Sequence, residues 1–324
     1  MESVDDMGKL QEKPMQEGAE KFLDLEKIIA GKNPMLLRIL PGFVLRYIKR
    51  IVHVDELNDV IFRNRHLYGL DFVESILKEF RTELVCEGLD NLRTHERFIV
   101  VANHPLGGLD GIALMGIVGR IRRDVIFPVN DLLLNIPNMK ELFIPINKHG
   151  KNTENVQLFE DTFASDAALL YFPAGLCSRK QSGKIVDLEW KKTFVTKSRK
   201  YRRFVVPVHI EGRNSNFFYN LSNFRKRLGI KANVEMFYLV DEMAKQRDKT
   251  LRFRFGKPIS WEVFDRSHTD REWAALLKEH VYALGKGVPC PAEFDAEHAA
   301  RNSSDHRQQE EELLDREEEH EQNH

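Results

Sequence analysis

The sequence predicts an α/β protein: a mixed, largely parallel sheet flanked by helices, with an N-terminal amphipathic helical element. Three successive segments carry this prediction: the apolar run Phe98–Val101, the helix-like segment Ile112–Ile121 and the strand-like run Asp124–Val129. Strand, helix and strand in this order are typical of a βαβ unit, whose two strands run parallel. In such sheets functional groups gather beyond the carboxyl ends of the strands.

Four segments divide the chain. We predict a disordered leader at 1–18, an amphipathic helical region that associates with a membrane at 19–80, the α/β domain at 81–290 and an acidic disordered tail at 291–324. The last stretch of the tail, Gln308–His324, carries eight acidic residues and one Arg. Such a stretch has too little apolar surface to fold alone.

The N-terminal element lies at 33–54. It interleaves apolar side chains with four Lys or Arg residues, contains no Asp or Glu, and is split into two short helical pieces at Pro41–Gly42. Apolar side chains that insert and cations that face anionic headgroups are typical of an interfacial helix. We therefore expect 33–54 to bind a membrane surface. The alternative is a helix pair that packs on the α/β domain with a basic outer face.

Composition excludes several classes of protein. The 49 basic and 50 acidic residues give a net charge of −1, so no overall field attracts nucleic acid. The three cysteines form neither a disulfide framework nor a zinc pattern, and we expect no metal and no cofactor. The acidic, polar N-terminus has no secretory-signal pattern, and no run reaches the roughly eighteen apolar residues that span a bilayer. We therefore expect a cytoplasmic protein that does not cross a membrane.

Outside the βαβ unit, the elements follow in order. Apolar residues in Asp55–Phe80 recur at steps of three and four, a helical spacing, and Glu83–Leu89 is typical of a strand that ends in a turn. Three further strand-like runs end at Lys148, Phe172 and Gly212. Trp261–Val281 predicts an amphipathic closing helix.

The strand at Phe98–Val101 leads directly into a candidate base. His104 and Asp110 are six residues apart, which on one regular helix separates them by about 120° around the axis. They can meet only if the backbone folds back, and Pro105 with Gly107-Gly108 permits that. An Asp that fixes the imidazole tautomer and a ring nitrogen that takes a proton form a general base. The alternative is an ordinary strand-turn-helix in which Asp110 caps the helix.

Four sequence blocks in a fixed order resemble the glycerolipid acyltransferase family, which makes lysophosphatidate and phosphatidate. The resemblance covers roughly 85–260 and rests on Asn103, His104 and Asp110 in the first block, Lys148 in the second, Phe172, Pro173 and Gly175 in the third, and Val206-Pro207-Val208 in the fourth. It implies a glycerol-phosphate acyltransferase-like fold for 81–290. It also implies direct attack of an acceptor hydroxyl on an acyl thioester.

Two departures from the family pattern concern the acceptor. Five residues, instead of four, separate His104 from Asp110 (His-X5-Asp), and Ala174, Leu176 and Cys177 replace the Glu, Thr and Arg of the third block. In the family those acidic and basic residues help to hold a phosphate-bearing acceptor. The variant pattern, with Asn214–Tyr219 after the fourth block, looks more like a bacterial branch that acylates aminolipid precursors such as lyso-ornithine or lyso-glycine lipids.

The resemblance implies an O-acyltransferase that moves a fatty acyl group from acyl carrier protein or coenzyme A to a lyso-lipid hydroxyl. We expect it to work at the inner face of the cell membrane. His104 is the expected base and Asp110 its orienter. The expected substrate-binding residues are Asn103, Gly107, Gly108, Lys148, Phe172, Pro173, Gly175, Ser178 and Arg179. Among these, Lys148 and Arg179 are the candidates for anionic groups, and backbone amides near Gly107-Gly108 or Gly175-Leu176 are the candidates for polarising the thioester carbonyl.

Other interpretations remain open at this point. The basic run Lys184–Arg203 holds eight cations against two acids, and it either attracts an acidic carrier protein or coenzyme A phosphates, or is a solvated helix face. Cys177 could be a nucleophile or a buried thiol. The chain could be a lysophosphatidate acyltransferase, an inactive peripheral membrane-binding protein with this fold, or a hydrolase that uses water in place of the acceptor.

Overall fold

The computed structural model describes residues 23–32, 34–129, 136–145 and 153–286. The predicted leader at 1–18, the predicted tail at 291–324 and Lys148 lie outside the described residues.

Helices and strands alternate through most of the described chain. The helices are α1 (Leu25–Lys32), α2 (Pro34–Ile39), α3 (Gly42–Ile51), α4 (Val54–Arg63), α5 (Gly69–Phe80), α6 (Leu109–Gly119), α7 (Thr153–Ala164), α8 (Thr193–Tyr201), α9 (Asn216–Arg227), α10 (Leu239–Ala244) and α11 (Asp270–Leu284). The strands are β1 (Glu83–Glu87), β2 (Phe98–Ala102), β3 (Val125–Val129), β4 (Phe143–Pro145), β5 (Ala168–Tyr171), β6 (Arg179–Gln181), β7 (Lys184–Val186), β8 (Phe204–Ile210) and β9 (Thr250–Phe255). Short 3₁₀ turns occupy Leu89–Arg93, Pro137–Leu142, Val234–Tyr238 and Trp261–Val263.

The central sheet has seven strands in the order β1-β9-β8-β2-β5-β3-β4. Every neighbouring pair is parallel except β8 and β9. The predicted mixed, largely parallel sheet is therefore confirmed. Because β2, β5 and β8 run in one direction, their carboxyl ends lie at the same edge of the sheet, and the loops that follow them meet there. Strands β6 and β7 form a separate antiparallel hairpin.

Strand β2 is buried on both faces and shows how the layers form. Val100 and Ala102 belong to one core, shared with α5 and α6, while Ile99 and Val101 belong to a second core, shared with α8 and α11. Successive side chains of a strand point to opposite faces, so a strand between two helix layers is apolar throughout. The sheet is thus covered on both sides by helices.

Helix α6 is held close to α5 by two of its glycines. A Cβ at Gly116 would lie 2.6 Å from Leu77, and one at Gly119 would lie 2.7 Å from Leu70. Only the missing side chains allow α5 to approach this closely. Helix α5 therefore belongs to the core of the α/β domain, although it falls within the predicted membrane-associating region 19–80.

Helices α2 and α3 lie at the surface and correspond to the two helical pieces expected on either side of Pro41–Gly42. No residue of α3 is buried, and the large side chains of Met35, Ile39, Phe43 and Tyr47 are exposed. Among the described residues, no helix combines the length and the apolar character needed to span a bilayer.

Candidate active site

The loop from β2 to α6 brings His104 and Asp110 together at the carboxyl edge of the sheet. The Nδ1 atom of His104 lies 2.9 Å from Oδ2 of Asp110. The loop wraps around this carboxylate, because the amides of Leu106 and Gly107 donate to the same oxygen at 2.8 and 3.2 Å. The amide of Gly111 donates to Oδ1 at 2.9 Å. Folding back through the glycine turn thus overcomes the six-residue separation.

The environment of Asp110 keeps its side chain ionised. The carboxylate is completely buried, and burial alone would raise its pKa. The charge and hydrogen bond of His104 and the amides of Leu106 and Gly107 outweigh that effect, so the pKa of Asp110 lies below its usual value. An ionised carboxylate only accepts hydrogen bonds, so Nδ1 of His104 must donate. The other ring nitrogen, Nε2, is then available to accept a proton.

Aromatic side chains fix the plane of the imidazole. The His104 ring stacks on Phe172 with centroids 4.1 Å apart and planes 18° from parallel. Phe172 follows β5 directly and is held edge-on by Phe127 at 5.2 Å. The His104 side chain keeps 15% of its surface exposed. The ring is therefore oriented from the carboxylate side and from one face, and it still reaches solvent.

Asp187, which is not among the site residues expected from the sequence, supports the backbone of His104. Its carboxylate accepts from the His104 amide at 3.2 Å, from the Ser178 hydroxyl at 2.6 Å and from the Trp190 indole at 2.9 Å. Its own amide donates to the Tyr282 hydroxyl at 2.7 Å. Burial raises the pKa of Asp187 despite these hydrogen bonds. In the sequence, Asp187 differs from its neighbours only in being one of two acids in a basic run, and that pattern does not indicate a site.

Asn103 and Ser178 hold the site together through protein contacts. Asn103 makes two hydrogen bonds with the backbone of Ile210, accepting its amide at 2.7 Å and donating to its carbonyl at 2.9 Å. The Ser178 amide donates to the His104 carbonyl at 2.7 Å. These contacts join the ends of β2 and β8 and tie the loop after β5 to His104. The structure thus places both residues beside His104, where they support the backbone around it.

Arg179 has a different environment from the one expected for a substrate-binding cation. Its guanidinium is almost fully buried and lies 3.2 Å from Glu235, and it also donates to the Cys177 carbonyl at 2.7 Å. The Phe218 ring lies 5.1 Å from the guanidinium carbon. A buried cation needs such partners, because an unpaired charge away from water is costly. Arg179 therefore joins structural elements, and we do not retain it as a ligand of an anionic group.

Two glycines of the turns have backbone conformations that other residues rarely adopt. Gly107 has φ +82°, and a Cβ there would lie within 3.1 Å of both Leu239 and Cys177; Gly175 has φ +64°. The Gly107 amide donates to Asp110, and the Gly175 amide donates to the Phe172 carbonyl at 3.0 Å. Both amide hydrogens thus serve protein acceptors.

The remaining candidates have separate outcomes. Gly108 immediately precedes α6 and lies beside Met243. The carbonyl of Pro173 accepts a hydrogen bond from the Lys191 amide at 3.1 Å. Lys148, the expected cation of the second block, is outside the described residues.

Burial raises the pKa of Cys177 to about 11, which argues against a nucleophilic thiolate. Within the described ranges, no cluster of His, Cys, Asp or Glu side chains is arranged to hold a metal ion.

Much of the basic run Lys184–Arg203 is already paired within the fold. Lys197 and Lys200 both bind Glu160 of α7. Arg199 binds Asp270 at the start of α11. The guanidinium of Arg203 is completely buried, where it donates to backbone carbonyls that include those of Phe163 and Ala167. The expected eight-cation surface is therefore smaller than the sequence indicated, and Lys184–Val186 forms β7.

A His–Asp pair at the strand ends of a mostly parallel α/β sheet has the geometry of a general base that can activate a hydroxyl. Comparison with known proteins gives the class of enzyme: the profile of the acyltransferase family matches residues 27–289. The chain belongs to the acyltransferase family, which confirms the resemblance found in the sequence.

Two relatives are similar over most of their length. The lyso-glycine lipid O-acyltransferase of Phocaeicola vulgatus is 48% identical over 265 residues, covering 81% of this chain and 95% of that protein. The protein of the same name from Bacteroides thetaiotaomicron is 47% identical, covering 81% and 97%. Among solved structures, the 1-acyl-sn-glycerophosphate acyltransferase PlsC of Thermotoga maritima has a TM-score of 0.41 at 18% identity, covering 82% of this chain and 99% of that one.

Proposed function

We propose that this acyltransferase moves a fatty acyl group from an acyl thioester to the hydroxyl of a lyso-aminolipid, with lyso-glycine lipid as the acceptor. The observation that carries the chemistry is the 2.9 Å contact between His104 and a buried, ionised Asp110. The observation that supports the acceptor is the identity of 48% and 47% to two lyso-glycine lipid O-acyltransferases.

The proposed reaction uses His104 first as a base and then as an acid. Nε2 takes the proton of the acceptor hydroxyl while the oxygen attacks the thioester carbonyl carbon. The tetrahedral intermediate collapses, the C–S bond breaks, and the imidazolium returns the proton to the thiolate that leaves. Asp110 stabilises the imidazolium between these steps and prevents ring rotation. No acyl-enzyme is needed, which agrees with the raised pKa of Cys177.

The developing oxyanion needs donors that the fold does not already use. The amides of Gly107 and Gly175 donate to protein acceptors. We therefore propose the amides of Gly108 and Leu176, which belong to the same two turns, as the donors to the oxyanion. Glycine at 107 and 175 allows these turns to adopt left-handed conformations near His104.

The buried residues of the third block favour an acceptor without a phosphate held by that block. Ala174 is buried in the second core, to which Tyr171 and Phe194 also belong, and the guanidinium of Arg179, which follows the block, is paired with Glu235. The third block itself therefore presents no unpaired guanidinium to a phosphate, and a cation from outside the block, Lys191, has its ammonium 3.2 Å from the position of a Cβ at Gly175. We propose acyl carrier protein or coenzyme A as the donor carrier, and the cytoplasmic face of the membrane, reached through 33–54, as the place of reaction.

The test is acyl transfer by the purified full-length protein. Acyl carrier protein and coenzyme A thioesters are supplied in separate reactions, each with lyso-glycine lipid, lyso-ornithine lipid or lysophosphatidate. We expect lyso-glycine lipid to be acylated most efficiently. We expect His104→Ala to lower kcat by about a thousandfold, because the base is lost. His66→Ala, which removes an exposed histidine, is the matched control and should keep full activity.

Each contrary result points to a specific alternative. Preference for lysophosphatidate would identify a lysophosphatidate acyltransferase. Release of free fatty acid without an acceptor would identify a hydrolase. Absence of transfer with every donor and acceptor would identify an inactive membrane-binding protein. Equal activity of His104→Ala and the unmodified protein would reject the proposed base.

A further inference from the structure

Helix α9 exposes an apolar stripe, although it is firmly packed on its other side. Phe217, Leu221, Phe224 and Leu228 follow one another at steps of four, three and four residues, which places them on one face of the helix. Phe224 and Leu228 are 60% and 57% exposed. The opposite face, with Phe218 and Ser222, is buried. Because soluble proteins rarely group large exposed apolar side chains, such a stripe indicates a partner.

The charged side chains that α9 and the turn after it expose have one sign. Lys226, Arg227 and Lys231 are exposed, and Glu235 is the only acidic residue between positions 212 and 240. Glu235 is completely buried and paired with Arg225 at 2.7 Å. The exposed surface of α9 and the following turn is therefore apolar and cationic, without a compensating exposed acid. An anionic lipid surface matches this combination, because its headgroups attract cations and its acyl region takes up apolar side chains.

The stripe is connected to the N-terminal helices. The hydroxyl of Tyr47 in α3 lies 2.8 Å from that of Tyr238, and the Tyr238 ring contacts Phe217 of α9 at 5.0 Å between centroids. Helices α2 and α3 also combine exposed apolar side chains with cations and contain no acid. Two segments nearly two hundred residues apart in the chain thus contribute to one surface of the same composition.

The same segment is anchored to the active site. Glu235 binds Arg225 of α9 and also Arg179, which follows the third-block turn directly. Just beyond Tyr238, the Leu239 side chain lies against Gly107 and Met243 lies against Gly108. The buried ion pairs and these contacts hold α9 and α10 in a defined position beside the His104–Asp110 loop.

We propose that α9 and the 3₁₀ turn at Val234–Tyr238 form, together with α2 and α3, one docking surface for an anionic lipid bilayer. Apolar side chains of both segments enter the headgroup region, and their cations contact anionic headgroups. Docking in this way presents the His104 loop to an acceptor that stays in the bilayer. The inference rests on the proposed function, but the experiment that tests it does not measure acyl transfer.

The experiment is co-sedimentation of the purified full-length protein with vesicles of phosphatidylglycerol and phosphatidylcholine. We expect the unmodified protein to bind phosphatidylglycerol vesicles and to dissociate as salt is raised, because screening weakens the cationic contacts. The variant with Phe224→Asp and Leu228→Asp should bind at least about tenfold more weakly, since two apolar side chains no longer enter the bilayer.

A matched control separates the stripe from a general effect of added charge. Val156 and Leu158 of α7 are 61% and 45% exposed, and they lie near the acids Glu160 and Asp161. The variant with Val156→Asp and Leu158→Asp adds the same charge and should bind vesicles like the unmodified protein. A second variant, Lys226→Gln with Arg227→Gln, should weaken phosphatidylglycerol binding roughly thirtyfold, on the basis of about 1 kcal/mol per cation.

Several results would overturn the proposal. Failure of the unmodified protein to bind phosphatidylglycerol vesicles is one, and undiminished binding by the Phe224→Asp, Leu228→Asp variant is another. If that variant instead turns a dimer into a monomer in analytical ultracentrifugation while vesicle binding is kept, the stripe is a contact between two copies. Co-sedimentation contains no acyl donor, so its outcome is independent of whether the chain acylates lyso-glycine lipid. The His104→Ala protein should still sediment with the vesicles.

Discussion

Replacing Asp110 by Asn tests whether the charge of the carboxylate, and not only its shape, supports the base. The two oxygens of Asp110 accept four N–H groups, from His104, Leu106, Gly107 and Gly111. An amide has one oxygen and one NH₂ group. With the oxygen toward His104, the NH₂ group meets the Gly111 amide at about 2.9 Å. The reverse orientation would set NH₂ against three donors, so the first one is favoured.

The expected magnitude follows from this geometry. One buried donor loses its acceptor, which lowers the free energy of unfolding by about 1–3 kcal/mol. The larger effect is on the reaction, because the imidazolium forms beside a neutral group. A unit charge at about 4 Å and an effective dielectric constant of about 20 contributes about 4 kcal/mol, which corresponds to roughly a thousandfold in kcat. KM for the acceptor should change little, because Asp110 is buried behind the ring.

The assay compares steady-state transfer to lyso-glycine lipid by the Asp110→Asn protein and by Asp90→Asn. Asp90 is fully exposed on the turn after β1, so its variant removes the same charge without reaching His104. Thermal unfolding of both proteins shows whether the fold is kept. If Asp110→Asn retains more than about a tenth of the original kcat while it remains folded, the carboxylate charge does not support the base and the reasoning is refuted.

Three further predictions concern the support of His104, the pH dependence of stability and the turn at Gly107. Asp187→Asn removes one hydrogen-bond acceptor beneath the His104 backbone, and the displaced imidazole should lower kcat roughly ten- to a hundredfold. Steady-state kinetics should show a constant KM. An unchanged kcat would contradict this positioning role. Burial and the nearby Arg254 lower the pKa of His209 to about 4, so this group contributes stability above the unfolded pKa near 6.5, and that stability is lost as pH falls toward 4. The resulting fall in the free energy of unfolding is about 3 kcal/mol at most, and His209→Gln should flatten it. An identical pH profile for the variant would contradict this expectation. Gly107→Ala should lower the unfolding temperature more than Gly183→Ala. Both glycines have φ near +80°, but only a Cβ at position 107 would meet other atoms within 4 Å. Equal shifts in the unfolding temperature would show that crowding at position 107 has no effect.

Local sequence was sufficient for the features that depend on short-range geometry. The β-branched run at Phe98–Val101 predicted a buried strand, and β2 is buried along its whole length. Pro105 and Gly107-Gly108 predicted a reversal that allows His104 to reach Asp110, and the two side chains lie 2.9 Å apart. In both cases the partners are close in sequence, so few chain arrangements compete.

The positions of charged residues with distant partners were harder to predict from the sequence. Arg179 was expected at the substrate, but its guanidinium pairs with Glu235, 56 residues away. Arg203 was expected at the surface, but it is buried against backbone carbonyls. Asp187 was not singled out, although it supports His104 across 83 residues. Nothing in a run of Lys and Arg indicates which cation will be covered by another element.

By itself, the sequence determined the class of the protein, the family, the sheet and the His–Asp pair, because strand patterns, turn residues and ordered blocks act over short distances along the chain. The tertiary structure decided which charges are buried as supports and which remain at the surface, and it joined α9 to α3 through the turn at Val234–Tyr238 and set α10 against the active-site loop. The physical reason is that the cost of burying a charge depends on partners brought by distant elements, and only the folded chain brings them together.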